Sequence, residues 1–151
     1  METKAKSDAK KNTDWKCKPT WKKASFNTSW CLLGCSIGDF ATIAFFQFSG
    51  IAWPIVAIMS LAIINGLLTS ILLETLILTR QMSLKLAFKT AVGMSLISMI
   101  SMELAMNITD VIVTGGATLT PQAILFMLIV GFLTPLPYNY WRLKTLGKAC
   151  H

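Results

Sequence analysis

The sequence predicts an all-α, polytopic membrane protein with four transmembrane helices and both termini in the cytoplasm. Three observations predict it. First, 54% of the 151 residues are hydrophobic and the mean hydropathy is +0.58. The apolar residues fall in runs of about 20, the length a helix needs to cross about 30 Å of hydrocarbon. Second, the 14 Lys and Arg residues alternate with those runs. Lys4, Lys6, Lys10, Lys11, Lys16, Lys18, Lys22 and Lys23 precede the first run, and Arg80, Lys85 and Lys89 surround the link between the second and third. Arg142, Lys144 and Lys148 follow the fourth. Third, the two other links, 49–52 and 111–121, carry no basic residue. Basic segments stay in the cytoplasm, and only an even number of spans satisfies this alternation.

Residues 1–29 form a basic tail that supplies most of the net charge of +7. Its low apolar content predicts partial disorder, and its lysines suit the anionic lipid surface beside a membrane helix. The charge therefore orients the chain and meets lipid; no nucleic-acid partner is implied. Residues 30–141 make up the four-helix transmembrane domain, with spans at 30–48, 53–78, 90–109 and 122–141. The second exceeds the hydrocarbon thickness and is expected to tilt. Trp30, Trp53, Tyr138, Tyr140 and Trp141 fall at span ends, where aromatic rings anchor helices at the interface. Residues 142–151 are a short cytoplasmic tail ending in Cys150 and His151. Nothing remains for a soluble domain, and no internal repeat is present. "LLGC" at residues 32–35 is no lipoprotein box, because its apolar run follows the cysteine. Asn27 and Asn107 fit the glycosylation pattern but lie on the cytoplasmic side and at or inside the membrane boundary.

The chemistry concentrates in spans one and three. "WCLLGCSIGDF" begins at Trp30 and places Cys31, Cys35 and Asp39 one helical turn apart, on one line. Asp39 lies about 12 Å deeper than Cys31, near the bilayer centre. A carboxylate there costs about 2.5–3.5 kcal/mol and ordinarily faces a bundle interior or a water-filled path. Gly34, Gly38 and Thr42 share this face or its margin, and Gly34 with Gly38 reads as a small-residue packing seam. In "MSLISMISMELAMNITD", Met99, Glu103, Met106 and Asp110 follow at i, i+4, i+7 and i+11, also on one face, flanked by Met102 and Asn107. Asn65 in span two reads as a hydrogen bond to a neighbouring helix, and Glu74 as a partner for Arg80. In span four, Pro135 and Pro137 predict a helix break. Either the break frees carbonyls for a transport site, or the helix ends at Thr134 and an extended strip lies in the interface.

Ordered through the membrane, these residues form a ladder. Thiols stand at the cytoplasmic mouth and Asp39 near the centre, with Glu103, Met106 and Asp110 toward the outside. Thiolate and thioether select copper(I) or zinc-like ions, whereas carboxylates tolerate harder ones. Cys150 and His151 are within reach of Cys31 through about 30 Å of extended chain, giving a dispersed Cys–Cys–Cys–His set. A reducing compartment argues against structural disulfides.

Three stretches carry a resemblance: "CLLGCSIGD", "GMSLISMISMELAMNITD" and "GFLTPLPYNYWRLKTLGKACH". Over residues 30–151 the chain resembles a family of small bacterial four-helix membrane proteins of unknown function, some members of which are connected with copper. The resemblance implies the four-span architecture and a bacterial inner-membrane setting; it implies no catalytic residues.

The functional expectation is a small membrane protein that binds or transports a heavy-metal ion, copper or zinc-like. Its ligands are drawn from Cys31, Cys35, Asp39, Met99, Glu103, Met106, Asp110, Cys150 and His151. The alternative is a structural or interaction subunit whose polar faces pack helices within a homo-oligomer or a larger membrane complex. An enzyme is disfavoured: no metalloprotease helix, phosphate loop or Ser–His–Asp set occurs. A thiol redox role for Cys31 and Cys35 stays open, although their spacing differs from Cys-x-x-Cys.

Overall fold

Each apolar run folds as a helix, because a backbone in hydrocarbon must satisfy its own N–H and C=O groups. The computed structural model describes residues 15–145. Among these it contains five α-helices and no strand: α1 (Lys18–Ser49), α2 (Ile55–Leu78), α3 (Leu84–Thr114), α4 (Pro121–Leu133) and α5 (Leu136–Thr145). Four stretches are long and apolar enough to cross a membrane: all of α1, all of α2, Ser95–Thr114 of α3, and Pro121–Lys144. The last combines α4 with most of α5. The chain is a multi-pass membrane protein.

Two helices begin earlier than their apolar runs. α1 starts at Lys18, with Pro19 in its first turn, where a missing N–H loses no intrahelical bond. The added turns are held by α5. Thr20, Ala24 and Thr28 are buried, Ala24 packs with Tyr140 and Leu143, and Asn139 donates to the Thr28 hydroxyl at 2.8 Å. This packing explains Tyr140, expected as an interfacial anchor. It is fully buried, with its ring 5.0 Å from that of Trp15 and 4.4 Å from that of Trp21. Trp30, Trp53 and Trp141 are exposed on the exterior.

The fourth crossing breaks at Thr134–Pro135 and re-forms immediately. The Thr134 N–H still bonds Val130, and the Asn139 N–H bonds the Pro135 carbonyl at 2.9 Å. Pro137 sits in the first turn of α5, where it is tolerated. A helix therefore stands where an extended strip was the alternative.

Consecutive crossings run antiparallel. α1 packs most extensively on α2, α3 packs on α2 and α4, and α5 returns to α1. α1 and α3 consequently run parallel, matching Asp39 to Asn107. Lys18, Lys22, Lys23, Arg80, Lys85, Lys89, Arg142 and Lys144 all fall at one end of the bundle, set by the helix order. At the other end α1 and α3 stop at Gly50 and Gly115, with φ of 65° and 76°, a left-handed conformation that glycine adopts without strain. The exterior carries large apolar side chains such as Ile37, Phe48, Leu68, Leu72, Ile97 and Ile112. The polar and sulfur-bearing residues lie inside.

Candidate functional site

The site is built on a tight seam between α1 and α2. Gly34 approaches the Ser70 backbone so closely that a Cβ on it would lie 2.6 Å from Ser70 Cα, and a Cβ on Gly38 would strike the Asn65 carbonyl. Hydrogen bonds close the seam. Thr69 donates to the Gly34 carbonyl at 2.6 Å, and Asn65 Nδ2 donates to Thr42 Oγ1 at 2.8 Å. Ser70 donates to the Cys31 carbonyl at 3.3 Å, with the Cys31 sulfur 3.6 Å from its oxygen. Gly34, Gly38 and Asn65 thus act within the chain, between its own helices.

α3 brings its carboxylate to α2 beside the same seam. Gly66, midway along α2, leaves the space that the Glu103 carboxylate fills; a Cβ at Gly66 would overlap it. Asp39 of α1 and Glu103 of α3 are both fully buried. Asn107 joins the two helices, donating to Asp39 Oδ1 at 3.0 Å and to the Glu103 main-chain carbonyl at 3.0 Å. The remaining acceptors have no hydrogen-bond partner: Asp39 Oδ2, both Glu103 oxygens and Asn107 Oδ1. The Cys35 thiol and the Asp39 carboxylate are the neighbours acting on Glu103, although Cys35 does not meet it in a well-formed hydrogen bond. Three of four buried carboxylate oxygens at mid-membrane therefore lack a donor, an arrangement that a carboxyl group answers by taking up a proton or a cation.

A sulfur-rich core adjoins these helix faces. Cys35, Met99, Met102, Met106 and Met127 are all fully buried and form one core with Ile43, Ala62 and Ala123, with Cys31 packed at its edge. Met106 seats against Gly131 of α4. Sequence spacing places Met99 and Met106 on the inward line. Met102 and Asn107, flanking that line, turn inward as well. Gly66 and Met127 have no sequence signal, being a glycine and a methionine in runs apolar on all sides.

Other candidate residues lie elsewhere. Asp110 is buried but occupied: Oδ1 accepts from the Thr114 hydroxyl at 3.1 Å and Oδ2 from the Thr118 N–H at 3.2 Å. It fastens the loop after α3, which Gln47 holds from α1 by accepting the Leu119 N–H. Glu74 takes a hydrogen bond from Ser95 at 2.7 Å rather than pairing with Arg80, which is exposed. Cys17 is disulfide-bonded, contrary to the expectation of reduced thiols throughout, whereas Cys31 and Cys35 are free. Cys150 and His151 lie outside the described residues. Among the described residues, no three His, Cys, Asp or Glu side chains form a group that could hold a metal ion.

Comparison with known proteins places this core in a family. The model of the Domain of unknown function (DUF4396) matches residues 20–148. The chain belongs to that family. The match takes in all four crossings and every core residue named above. No curated protein and no solved structure matches the chain.

Proposed function

We propose that this DUF4396 protein binds a soft metal ion in the bundle core and passes it across the membrane. The observation that carries the reading is the unpartnered Glu103 carboxylate, fully buried among one thiol and four thioethers. Apolar packing accounts for methionines, but not for a carboxylate with no donor at mid-membrane. Zinc ordinarily takes four nitrogen, sulfur or oxygen ligands, and the described residues form no group of three His, Cys, Asp or Glu. Thioether sulfur completes a softer set, so copper(I) is favoured. Cys35 and Glu103 supply the charged donors, the methionines supply soft ones, and Asp39 adds countercharge through Asn107.

In this reading the basic end faces the cytoplasm of a bacterial inner membrane. Lys18 and Lys22 lie toward anionic lipid there, and the chain works as a homo-oligomer or as one subunit of a membrane complex.

The test is the metal content of the purified protein, by elemental mass spectrometry under reducing conditions, beside a variant carrying Cys31→Ser and Cys35→Ser. Stoichiometric copper in the parent, lost in the variant, is expected. An absence of bound metal after loading with copper(I), silver(I) and zinc overturns the reading.

A second reading, an interaction subunit, has its support in the α1–α2 seam, where Gly34, Gly38, Asn65 and Thr69 are all consumed by packing. It leaves Glu103 and Asp39 Oδ2 without a role. It predicts that Asp39→Asn and Gly38→Leu both disrupt assembly while metal content stays at background.

A further inference from the structure

A cavity of about 300 Å³ opens at the basic end of the bundle, between the first half of α1, the end of α2, the start of α3, and α5. Its polar lining includes Cys31, Glu74, Ser95, Ser98, Asn139 and Arg142. Two of these side chains are almost wholly buried and each has an oxygen with no hydrogen-bond partner. Ser98 is 2% exposed and Asn139 3% exposed, and Ser98 Oγ and Asn139 Oδ1 stand unpaired. Buried polar atoms of this kind are ordinarily satisfied, by water where the space is polar and roomy. The cavity meets both conditions. It reaches Cys31, which is half-buried, whereas Cys35 is one turn deeper and fully enclosed in the sulfur core.

Resting on the reading above, we propose that this cavity is an aqueous capture site for a thiophilic monovalent cation, with Cys31 and Glu74 as the donors that receive the ion before it passes to Cys35. Glu74 presents one oxygen already ordered by Ser95 at 2.7 Å. The unpaired oxygens of Ser98 and Asn139 supply neutral acceptors for the ion's remaining hydration. Arg142 acts electrostatically on both Glu74 and Cys31. Its charge opposes every cation and opposes a divalent one twice as strongly. What is retained must be held by sulfur, which favours a soft monovalent ion over a hard divalent one. On binding, the Cys31 Sγ–metal bond forms and the thiol proton leaves to water.

The experiment is site-resolved alkylation of the full chain in liposomes with iodoacetamide, a small neutral reagent, read by peptide mass spectrometry with and without silver(I). Cys31 is expected to react about tenfold or more faster than Cys35, because the cavity reaches it whereas the core encloses Cys35. Silver(I) is expected to protect Cys31. In Glu74→Gln the same protection should need about tenfold more silver, judged against that variant's own silver-free alkylation rate. Equal reactivity of the two thiols overturns the proposal, as does protection indifferent to Glu74→Gln. Glu74-dependent protection of Cys31 supports the capture site even where the purified parent protein holds no core metal after loading, so the two readings fail separately.

Discussion

Replacing Glu103 by Gln separates an ion site from a packing residue, because it keeps the shape of the side chain and removes its charge. Glu103 is fully buried, neither oxygen accepts a hydrogen bond, and the side chain fills the space left by Gly66. An ionised group at the centre of a span costs about 2.5–3.5 kcal/mol on insertion scales, and an unsatisfied buried amide about 1–3 kcal/mol. The metal-free variant is therefore expected to lie between about 0.5 kcal/mol less and about 2.5 kcal/mol more stable than the parent. The ion reverses the order. At a silver(I) concentration 100 times its dissociation constant, binding adds about 2.7 kcal/mol to the parent. A donor loss that weakens binding by about ten- to a hundredfold leaves the variant a gain of only about 0.4–1.4 kcal/mol at that concentration. Equilibrium denaturant unfolding in bicelles, with and without silver(I), reads both quantities. Equal stabilisation of parent and variant by silver would refute Glu103 as a donor. A metal-free variant more than about 2 kcal/mol below the parent would make the carboxylate a structural partner instead.

Three further outcomes are expected. Met99→Leu preserves volume and should cost less than about 1.5 kcal/mol in unfolding, while isothermal titration with silver(I) shows binding about tenfold weaker for the lost thioether. Gly38→Ala drives a methyl into the Asn65 main chain and should destabilise the fold by about 1–3 kcal/mol in the same unfolding assay; a neutral result would mean that α1 and α2 separate freely. Asp110→Ala removes the acceptor for Thr114 and for the Thr118 N–H. Hydrogen exchange at Thr118 should accelerate about tenfold or more, for a hydrogen bond to a charged group worth about 1.5–3 kcal/mol, with silver binding unchanged.

The four crossings are legible in the sequence because the hydrocarbon thickness sets a run length and the runs have it. Alignment within one helix is legible too: the helical period alone puts Cys35 and Asp39, or Met99, Glu103 and Met106, on one side. Relations between helices are not. A span apolar on all sides has no periodicity to say which face turns inward, so Met127 and Gly66 look like any other residue of their runs. Asp110 reads as one more rung of the line, yet its partner Thr118 lies eight positions on, in a loop whose path depends on the packed bundle. Tyr138 and Tyr140 read alike from their position. Only the return of α5 onto α1 buries the second.

That return and the glycine seam together explain why the charged core can exist. α1 uses one arc, Gly34, Gly38 and Thr42, to lie against α2, and the adjoining arc, Cys35 and Asp39, to face α3. Without Cβ atoms at Gly34 and Gly38, α1 and α2 meet backbone to backbone. Gly66, on the same stretch of α2 as Asn65 and Thr69, then admits Glu103 beside that seam. The three helices are drawn in by three glycines, so two carboxylates that repel one another share one enclosed volume. Asn107 cannot relieve that repulsion, since it donates to only one of them and its own carbonyl oxygen stays unpaired. Packing of this closeness concentrates negative charge rather than dispersing it. Two acids enclosed together are held neutral by protons or balanced by a cation, and exchange of one for the other is what the Glu103→Gln comparison with and without silver(I) reads.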